Sequence, residues 1–430
     1  MIAGLEVHEL AVHRDNRGWF KENWAGQKLV PVQQNVSFNA RRGATRGMHA
    51  EPWDKWVSVA SGRVFGAWVD MREGSETFGE TFSCEIGPET AVFVPRGVAN
   101  GFQALEDDTT YIYLVNERYQ PGARYAYCSY REVEWPLEPT ELSEADLTHP
   151  MLVDATPVPQ RKILVTGANG QLGRALQELY GPDEAEFCTR DELDITKLEG
   201  VDWSKYWAVI NCAAYNDVNG AEDDPAGAWR VNAEAPAQLA RAANEHDLVL
   251  VHVSSDYIFD GTQEVHTEEE LPSPLSRYGA SKAAGETAAQ VARRHYVIRT
   301  SWVFGDGANF MATMRQLAEA YKEPRVVKDQ RGRPTYAEDL AKGIRHLLTN
   351  EAEYGVYNIT SDGDSVGRDE IAMAVFIGMG KDPAQVHPVT SQEYGDKAPR
   401  PAESTLALDK IKATSFAPMN WRAALALYLG

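Results

Sequence analysis

Tyr278 and Lys282 stand four apart in the run YGASK, a spacing that puts both side chains on one face of a helix. An ammonium beside a phenol favours the phenolate, so this pairing is expected to lower the tyrosine pKa and let it exchange a proton near neutral pH. Ser255 closes the apolar run LVLVHVSS (Leu248–Ser255) and can offer a hydroxyl to the same carbonyl oxygen. Upstream lies ILVTGANGQLGRAL, in which a strand-like tetrad meets Gly167, Gly170 and Gly173 before small and apolar residues recur at helical spacing. The first glycine permits the turn, the second lets backbone approach phosphate, and the third lets helix pack on strand. Between them, Asn169, Gln171 and Leu172 belong to the same turn and helix start, where a dinucleotide pyrophosphate would sit. Together these residues describe proton exchange with a carbonyl oxygen close to a bound dinucleotide.

The cofactor type turns on the end of the next strand. A ribose-binding acid would fall about 20 residues past the glycines. At Cys188–Arg190 there is instead Thr189-Arg190, followed by Asp191. An arginine without an acid at that position favours a 2′-phosphate, hence NADPH, with NADH as the alternative if Arg190 is only a solvated loop charge.

The first half offers a different cluster. Arg46, His49 and Lys55 lie in RGMHAEPWDKW, with Asp70, Asn100 and Tyr113 further on. His49 reads either as a base or as a structural histidine. No metal site can be built here, because only one histidine of the two or three needed lies on these strands.

The elements that must position these residues divide the chain. Residues 1–136 alternate in short apolar runs broken by glycine turns, such as WVSVASGRVFGAWVDM and TAVFVPRGVANGFQAL, which predicts an all-β sandwich or small barrel. The stretch that follows, PLEPTELSEADLTHPMLVDATPVPQRK, is rich in proline and acid and weakly periodic. It reads as a tail and linker, with a first domain over 1–150 and the linker over 151–160. Residues 161–430 alternate strand with helix, which predicts a doubly wound parallel sheet. The last ~130 residues mix helices and loops and read as a substrate lobe.

Composition bounds the function. The chain has 430 residues, 43% of them hydrophobic, enough for two or three packed domains. Against 42 basic residues stand 63 acidic ones, a net charge of −21, which argues against a nucleic-acid binder. No apolar run reaches the ~20 residues of a membrane span, and MIAGLEVHEL does not read as a signal peptide. Cys84, Cys128, Cys188 and Cys212 form no CxxC pair, as expected for free thiols in the cytoplasm.

The set TGANGQLG, VINCAAYNDVNGAE, VSSDYIFDG, YGASKAAGE, VIRTSWVFG, ANF, VVKDQRGRPT and PRPAESTL resembles dTDP-4-dehydrorhamnose reductase, an extended short-chain dehydrogenase/reductase, over residues 161–430. The resemblance implies that Tyr278 protonates the 4-keto oxygen, that Lys282 tunes it and anchors the nicotinamide ribose, and that Ser255 orients the ketone. Asp194 and Ile195 would lie by the adenine, and Ala213, Ala214 and Tyr215 along the cofactor. Arg299–Phe304, including Trp302, together with Asn309 would line the sugar-nucleotide side. Two departures are Ser255 and Asn216, each where the family usually has threonine. Some reductases of this family use magnesium, for which no ligands can be placed.

In the first half, DNRGWFKENW, QQNVSFN, RGMH, VDMREGSETFG, FVPRGVANGF, YIYLVNERYQPG and VEWP resemble dTDP-4-dehydrorhamnose 3,5-epimerase, a cupin-type jelly roll, over about residues 1–150. The resemblance implies that His49 removes the proton alpha to the ketone, Lys55 stabilises the enolate and Tyr113 returns a proton from the opposite face. Arg17, Phe20, Glu22, Asn35 and Arg46 would hold the dTDP group. Three departures stand out. Asn100 replaces a histidine, Cys128 falls where the aspartate paired with the catalytic histidine is expected, and the loop between His49 and Lys55 is short. An unpaired His49 assisted by Asp70 is one consequence.

The leading expectation is a bifunctional fusion acting on a dTDP-4-keto-6-deoxy sugar, most simply as a homodimer. A reductase with an impaired or merely substrate-binding cupin, and a non-catalytic NADP(H)-binding regulator, are the alternatives.

Overall fold

The computed structural model describes residues 1–26, 28–119 and 125–430, so residues 120–122 of YIYLVNERYQPG lie outside the described residues. The chain divides into two compact units, Met1–Gln160 and Arg161–Gly430.

The first unit is built from twelve short strands. They are β1 (Glu6–Glu9), β2 (Val12–Asp15), β3 (Gly18–Lys21), β4 (Gln33–Asn39), β5 (Thr45–Ala50), β6 (Lys55–Ser61), β7 (Val64–Asp70), β8 (Thr81–Ile86), β9 (Thr90–Val94), β10 (Val98–Ala104), β11 (Thr109–Val115) and β12 (Ala126–Tyr127). Ten of them form two five-stranded sheets in the orders β1-β9-β6-β11-β4 and β12-β5-β10-β7-β8, while β2 and β3 pair as a separate hairpin. All pairings are antiparallel. Strand alternation splits the apolar residues by face. Val57, Val59, Trp68, Val92, Phe102 and Tyr111 make one core. The neighbours of Trp68, Ala67 and Val69, join Met48, Met71, Ala99 and Cys128 in a second.

That second cluster is closed by the stretch expected to be a tail and linker. Leu152, Ala155 and Val158 pack against it. Val158 exchanges backbone bonds with Met71 and Glu73, at 2.7 and 2.8 Å, and Thr140 bridges Ala44. Inside this strap a single helical turn, α1 (Glu144–Thr148), is capped by Ser143. Proline and acid content made the segment look unstructured. Its order comes from long-range backbone pairing and three spaced apolar residues, which local periodicity does not report.

The second unit carries β13 (Lys162–Thr166), β14 (Ala185–Cys188), β15 (Tyr206–Asn211), β16 (Val249–Ser255), β17 (His295–Thr300) and β18 (Gly355–Asn358). They form one parallel sheet in the order β14-β13-β15-β16-β17-β18. Both faces are apolar, because both are covered. Ile163 and Val165 face α2 (Gln171–Leu179) and α5 (Ala337–Thr349), whereas Leu164 faces α3 (Ala235–Glu245) and the end of α4 (Arg277–Ala289). A third cluster around Phe304, Met314, Ile371, Phe376 and Trp421 makes a lobe of its own. The lobe does not own the whole final stretch, since α5 and β18 complete the sheet. Among the described residues no helix is long and apolar enough to cross a membrane.

Candidate active sites

In the second unit, β13 and β15 point their C-terminal ends at the place where the strand order reverses, the usual ligand crevice of such sheets. Gly167 turns there with φ +69°, and a Cβ on it would lie 2.7 Å from the Ala213 nitrogen. A Cβ on Gly173 would lie 2.4 Å from the Gly167 carbonyl oxygen. Gly170 is the N-cap of α2 and supplies no capping side chain, so the helix presents its first amides to a ligand. The Asn169 carbonyl accepts from Arg174, which also pairs with Asp306 at 2.8 Å. Close backbone approach and an uncapped helix end fit a dinucleotide pyrophosphate.

Further along this edge, Arg190 is exposed just past β14. The nearby Glu192 carboxylate is occupied, accepting from the Thr189 amide and hydroxyl at 2.8 Å each. Asp194 accepts from the Thr196 hydroxyl at 2.7 Å and amide at 3.0 Å, which holds its carboxyl below the ordinary range, and Ile195 is buried. Ala213, Ala214 and Tyr215 follow β15 and are braced by Asn232. Its Oδ1 accepts from the Tyr215 amide at 2.8 Å, and its Nδ2 donates to the Tyr215 carbonyl and to Ser281 Oγ. Asn232 sits on a π-helical turn, Arg230–Glu234. The sequence carries no signal for it beyond an asparagine inside a helix.

The catalytic candidates meet where α4 crosses the end of β16. A Cβ on Gly279 would lie 2.2 Å from the Tyr257 carbonyl oxygen, so glycine lets α4 press onto that turn. The Ser255 hydroxyl donates to Asp256 at 3.0 Å and lies near enough to the Tyr278 phenol to favour its ionised form. Lys282 Nζ donates to the Val253 carbonyl at 2.6 Å. Burial lowers Lys282 to about 8, with the Glu286 charge opposing. The expected lowering of Tyr278 by Lys282 does not appear. Burial raises the phenol above its ordinary range, opposed by the nearby Ser255 hydroxyl, while the ammonium is engaged by a backbone carbonyl. Asp256, which sequence reasoning did not single out, is buried and pushed up to about 6 by that burial, opposed by hydrogen bonds from Ser404 and Ser255.

The sugar-side expectations divide. Trp302 lies under the Arg368 guanidinium, 4.4 Å from its ring centre, and its indole N–H is buried without a partner among the described residues. Arg368 also donates to the Tyr257 hydroxyl at 2.9 Å, and the Tyr257 ring stands edge-on to Tyr278. Arg368 was missed because it comes from another helix far along the chain. Arg299 is corrected to a structural role: it is buried against Glu286 at 2.6 Å and also donates to the carbonyls of Thr267 and Glu268. Asn309 is likewise committed. Its Oδ1 caps a helix through the Ala312 amide at 2.8 Å, and its Nδ2 donates to the Gly305 and Gly307 carbonyls.

In the first unit, His49 on β5 is not unpaired. Its Nε2 lies 2.8 Å from Asp146 Oδ1, supplied by α1 in the strap. Burial raises the Asp146 carboxyl, but the His49 and Ser143 hydrogen bonds outweigh it and hold the group below its ordinary range. The expectation that Cys128 displaces the carboxylate partner is therefore overturned. Cys128 is a core residue whose thiol burial raises to about 12. Asp70 does not assist either. It is fully buried and accepts from Arg72, Ser75 and Thr77, which outweigh burial and hold it at about 2. Asn100 faces His49 across β10 and accepts from the Tyr111 hydroxyl at 3.3 Å.

Opposite, β6 and β11 place Lys55 and Tyr113 together, with Lys55 Nζ 5.6 Å from the Tyr113 ring centre. Glu51 fixes the buried Lys55 at 2.9 Å. Burial and the Glu51 charge raise the Tyr113 phenol, against the opposing charge of Arg46. Arg46 is tied to Asn39 at 3.1 Å, and Asn35 pairs with Tyr113 across β4. The remaining nucleotide-binding expectations are not gathered here. Arg17, Phe20 and Glu22 are exposed on or beside the β2–β3 hairpin, and Arg17 is engaged by Asp15.

Comparison with known proteins matches the two units separately. The profile of the RmlD substrate binding domain matches residues 161–430, and that of dTDP-4-dehydrorhamnose 3,5-epimerase matches residues 1–154. A dTDP-4-dehydrorhamnose reductase of Mycolicibacterium smegmatis is 37% identical over 278 residues, covering 62% of this chain and 84% of the relative. An RmlC homolog of Streptococcus pyogenes is 45% identical over 177 residues, covering 36% of this chain and 89% of the relative. The crystal structure of a Bacillus anthracis dTDP-4-dehydrorhamnose reductase in complex with NADP aligns with a TM-score of 0.59 and 33% identity, covering 63% of this chain and 98% of that one. Through residues 161–430 the chain belongs to the dTDP-4-dehydrorhamnose reductase family, and through residues 1–154 it carries a dTDP-4-dehydrorhamnose 3,5-epimerase domain as well.

Proposed function

We propose that the chain catalyses two consecutive steps: 3,5-epimerisation of dTDP-4-dehydro-6-deoxy-glucose, then NADPH-dependent reduction of the 4-keto group to dTDP-L-rhamnose. The observation that carries the reading is that each unit holds its own supported proton-transfer group. These are His49 backed by Asp146 at 2.8 Å, and Tyr278 buried one helical turn from a buried Lys282.

In the epimerase, Asp146 orients the His49 ring and stabilises the imidazolium formed when His49 takes a proton from a carbon next to the ketone. Lys55, held by Glu51, stabilises the enolate oxygen, and Tyr113 returns a proton to the opposite face. Carbons 3 and 5 both neighbour the ketone, so one set serves both. The β4 strand suits a homodimer. It is an edge strand with polar Gln33, Asn35 and Ser37 turned inward and Val36 and Phe38 exposed, the inverse of a solvated edge.

In the reductase, the α2 N-terminus with Gly167 and Gly173 holds the cofactor pyrophosphate, and Arg190 meets the 2′-phosphate. A bound NADPH supplies the hydride that reduces sugar carbon 4. Tyr278 gives its proton to the developing alkoxide, Ser255 orients that oxygen, and Lys282 anchors the ribose. The substrate is thus a dTDP-4-keto sugar handled in the cytoplasm. The test is NADPH oxidation by the full chain with this ketone in deuterated water. Rhamnose-configured product labelled at carbons 3 and 5 is expected. Reduction without label leaves a reductase with an inert cupin, and no reduction overturns the reading.

A further inference from the structure

The strap brings more than Asp146 to His49. His149, three residues after Asp146, faces the same carboxylate, with its Nδ1 3.9 Å from Asp146 Oδ1. One ligand atom from each of His49, Asp146 and His149 lies within 4.8 Å of the others. The His149 Nδ1 is buried and has no hydrogen-bond partner among the described residues. Its ring is held in place by stacking on Tyr127 at 4.6 Å and stands edge-on to His49 at 5.4 Å. An orphaned imidazole nitrogen aimed at a buried carboxylate is costly unless something occupies the space between them.

Two imidazoles and one carboxylate are a ligand set for a borderline transition metal rather than for magnesium or calcium. Around a tetrahedral zinc ion the ligand atoms would stand about 3.4 Å apart, given metal bonds of roughly 2.0–2.1 Å. The observed separations bracket that distance, so small side-chain rotations suffice. The His49 side chain is 37% exposed, which leaves a fourth position open to water.

We propose that His49, Asp146 and His149 form a binding site for a divalent transition metal of the zinc type, and that its occupancy silences the epimerase. The second half rests on His49 being the epimerase base. In the metal-free site, an Nε2–H donated to Asp146 leaves the Nδ1 lone pair to take the substrate proton. A metal on Nε2 requires that proton to move to Nδ1, with the ring remaining neutral. The lone pair that removes the carbon-bound proton is then gone, and the His49–Asp146 hydrogen bond is replaced by two metal bonds.

The test uses the full chain stripped with chelator. Zinc titrated against a chromophoric chelator should reveal a site that His149→Gln weakens at least about tenfold, as loss of one of three protein ligands requires. With chelator present, wild type and His149→Gln should exchange solvent deuterium into the sugar at equal rates. Added zinc should then stop exchange in wild type at a concentration at least about tenfold lower than in the variant. Equal zinc affinity in the two proteins overturns the site, a result that needs no epimerase activity to read. Zinc bound through His149 with exchange undiminished overturns the silencing. His149→Asn serves as the second variant, and retained zinc affinity there also counts against the site.

Discussion

The two units move protons with groups that are assembled in opposite ways. In the reductase unit, Tyr278 and Lys282 lie one turn apart on α4, buried, and Ser255 arrives from the adjacent strand. In the epimerase unit, His49 sits on an inner strand of its sheet with much of its ring in solvent, and its carboxylate comes from a strap almost a hundred residues later. A helix sets its own spacing, so the first site needs only local geometry plus one strand end. The second exists only if the strap docks. Buried carboxylates differ between the units: burial pushes Asp256 up to about 6, whereas Asp70 in the other unit is saturated by donors and held at about 2.

The comparison breaks most sharply at the acid of the reductase. Tyr278→Phe should cut NADPH-dependent reduction by at least ~100-fold, the usual scale for a general acid, and leave deuterium exchange at carbons 3 and 5 unchanged. Near-wild-type reduction would show that another group gives the proton. The matching change in the other unit is milder if Asp146 only orients and stabilises His49. Asp146→Asn should slow exchange by about 10- to 100-fold with reduction of a pre-epimerised ketone intact. Exchange at the wild-type rate would remove Asp146 from the epimerase.

The pH dependence separates the sites next. Lys282 carries its proton below about 8 and loses it above, because burial depresses its pKa. If the ammonium is the working form, kcat/KM for reduction should fall as pH rises through about 8. A profile that stays flat into the ordinary lysine range contradicts this. The strap gives a stability contrast. A fragment of residues 1–160 should melt cooperatively. One ending at residue 150 loses Leu152, Ala155 and Val158 and should be less stable by about 3 kcal/mol, read by thermal or urea unfolding. Equal stability would make the strap an ornament. The smallest effect is expected at Asn309. Its role as a helix cap predicts a loss of about 1 kcal/mol for Asn309→Ala, with KM for the sugar nucleotide unchanged. A raised KM without a stability change would restore it to the substrate site.

Legibility tracked distance along the chain. The glycine turn, the YGASK helix and the apolar strands of the second unit appear as written, because strand alternation and helical spacing are local patterns. The strap did not. Its apolar residues are spaced too irregularly for either period, and its backbone pairs with the start of β5 and the segments just before β5 and just after β7, far earlier in the sequence. That one omission led to an unpaired His49 and to weight on Asp70 and Cys128. Arg299 and Asn309 turn out to have structural partners that the sequence does not report. Their residue types suit a polar ligand, but the carbonyls and amides around them were already waiting for those donors and acceptors.

From the sequence alone came the two fold classes, the cofactor turn, and the identity of His49, Lys55, Tyr113, Ser255, Tyr278 and Lys282 as candidates, because residue type and short-range spacing carry that information. Tertiary structure decided who their partners are. Asp146 and His149 reach His49, Glu51 steadies Lys55, Arg368 reaches Tyr257, and a backbone carbonyl takes the Lys282 ammonium. Hydrogen bonds and burial act through space over a few ångströms, and the chain separation of the groups they join leaves no trace in any local window of sequence.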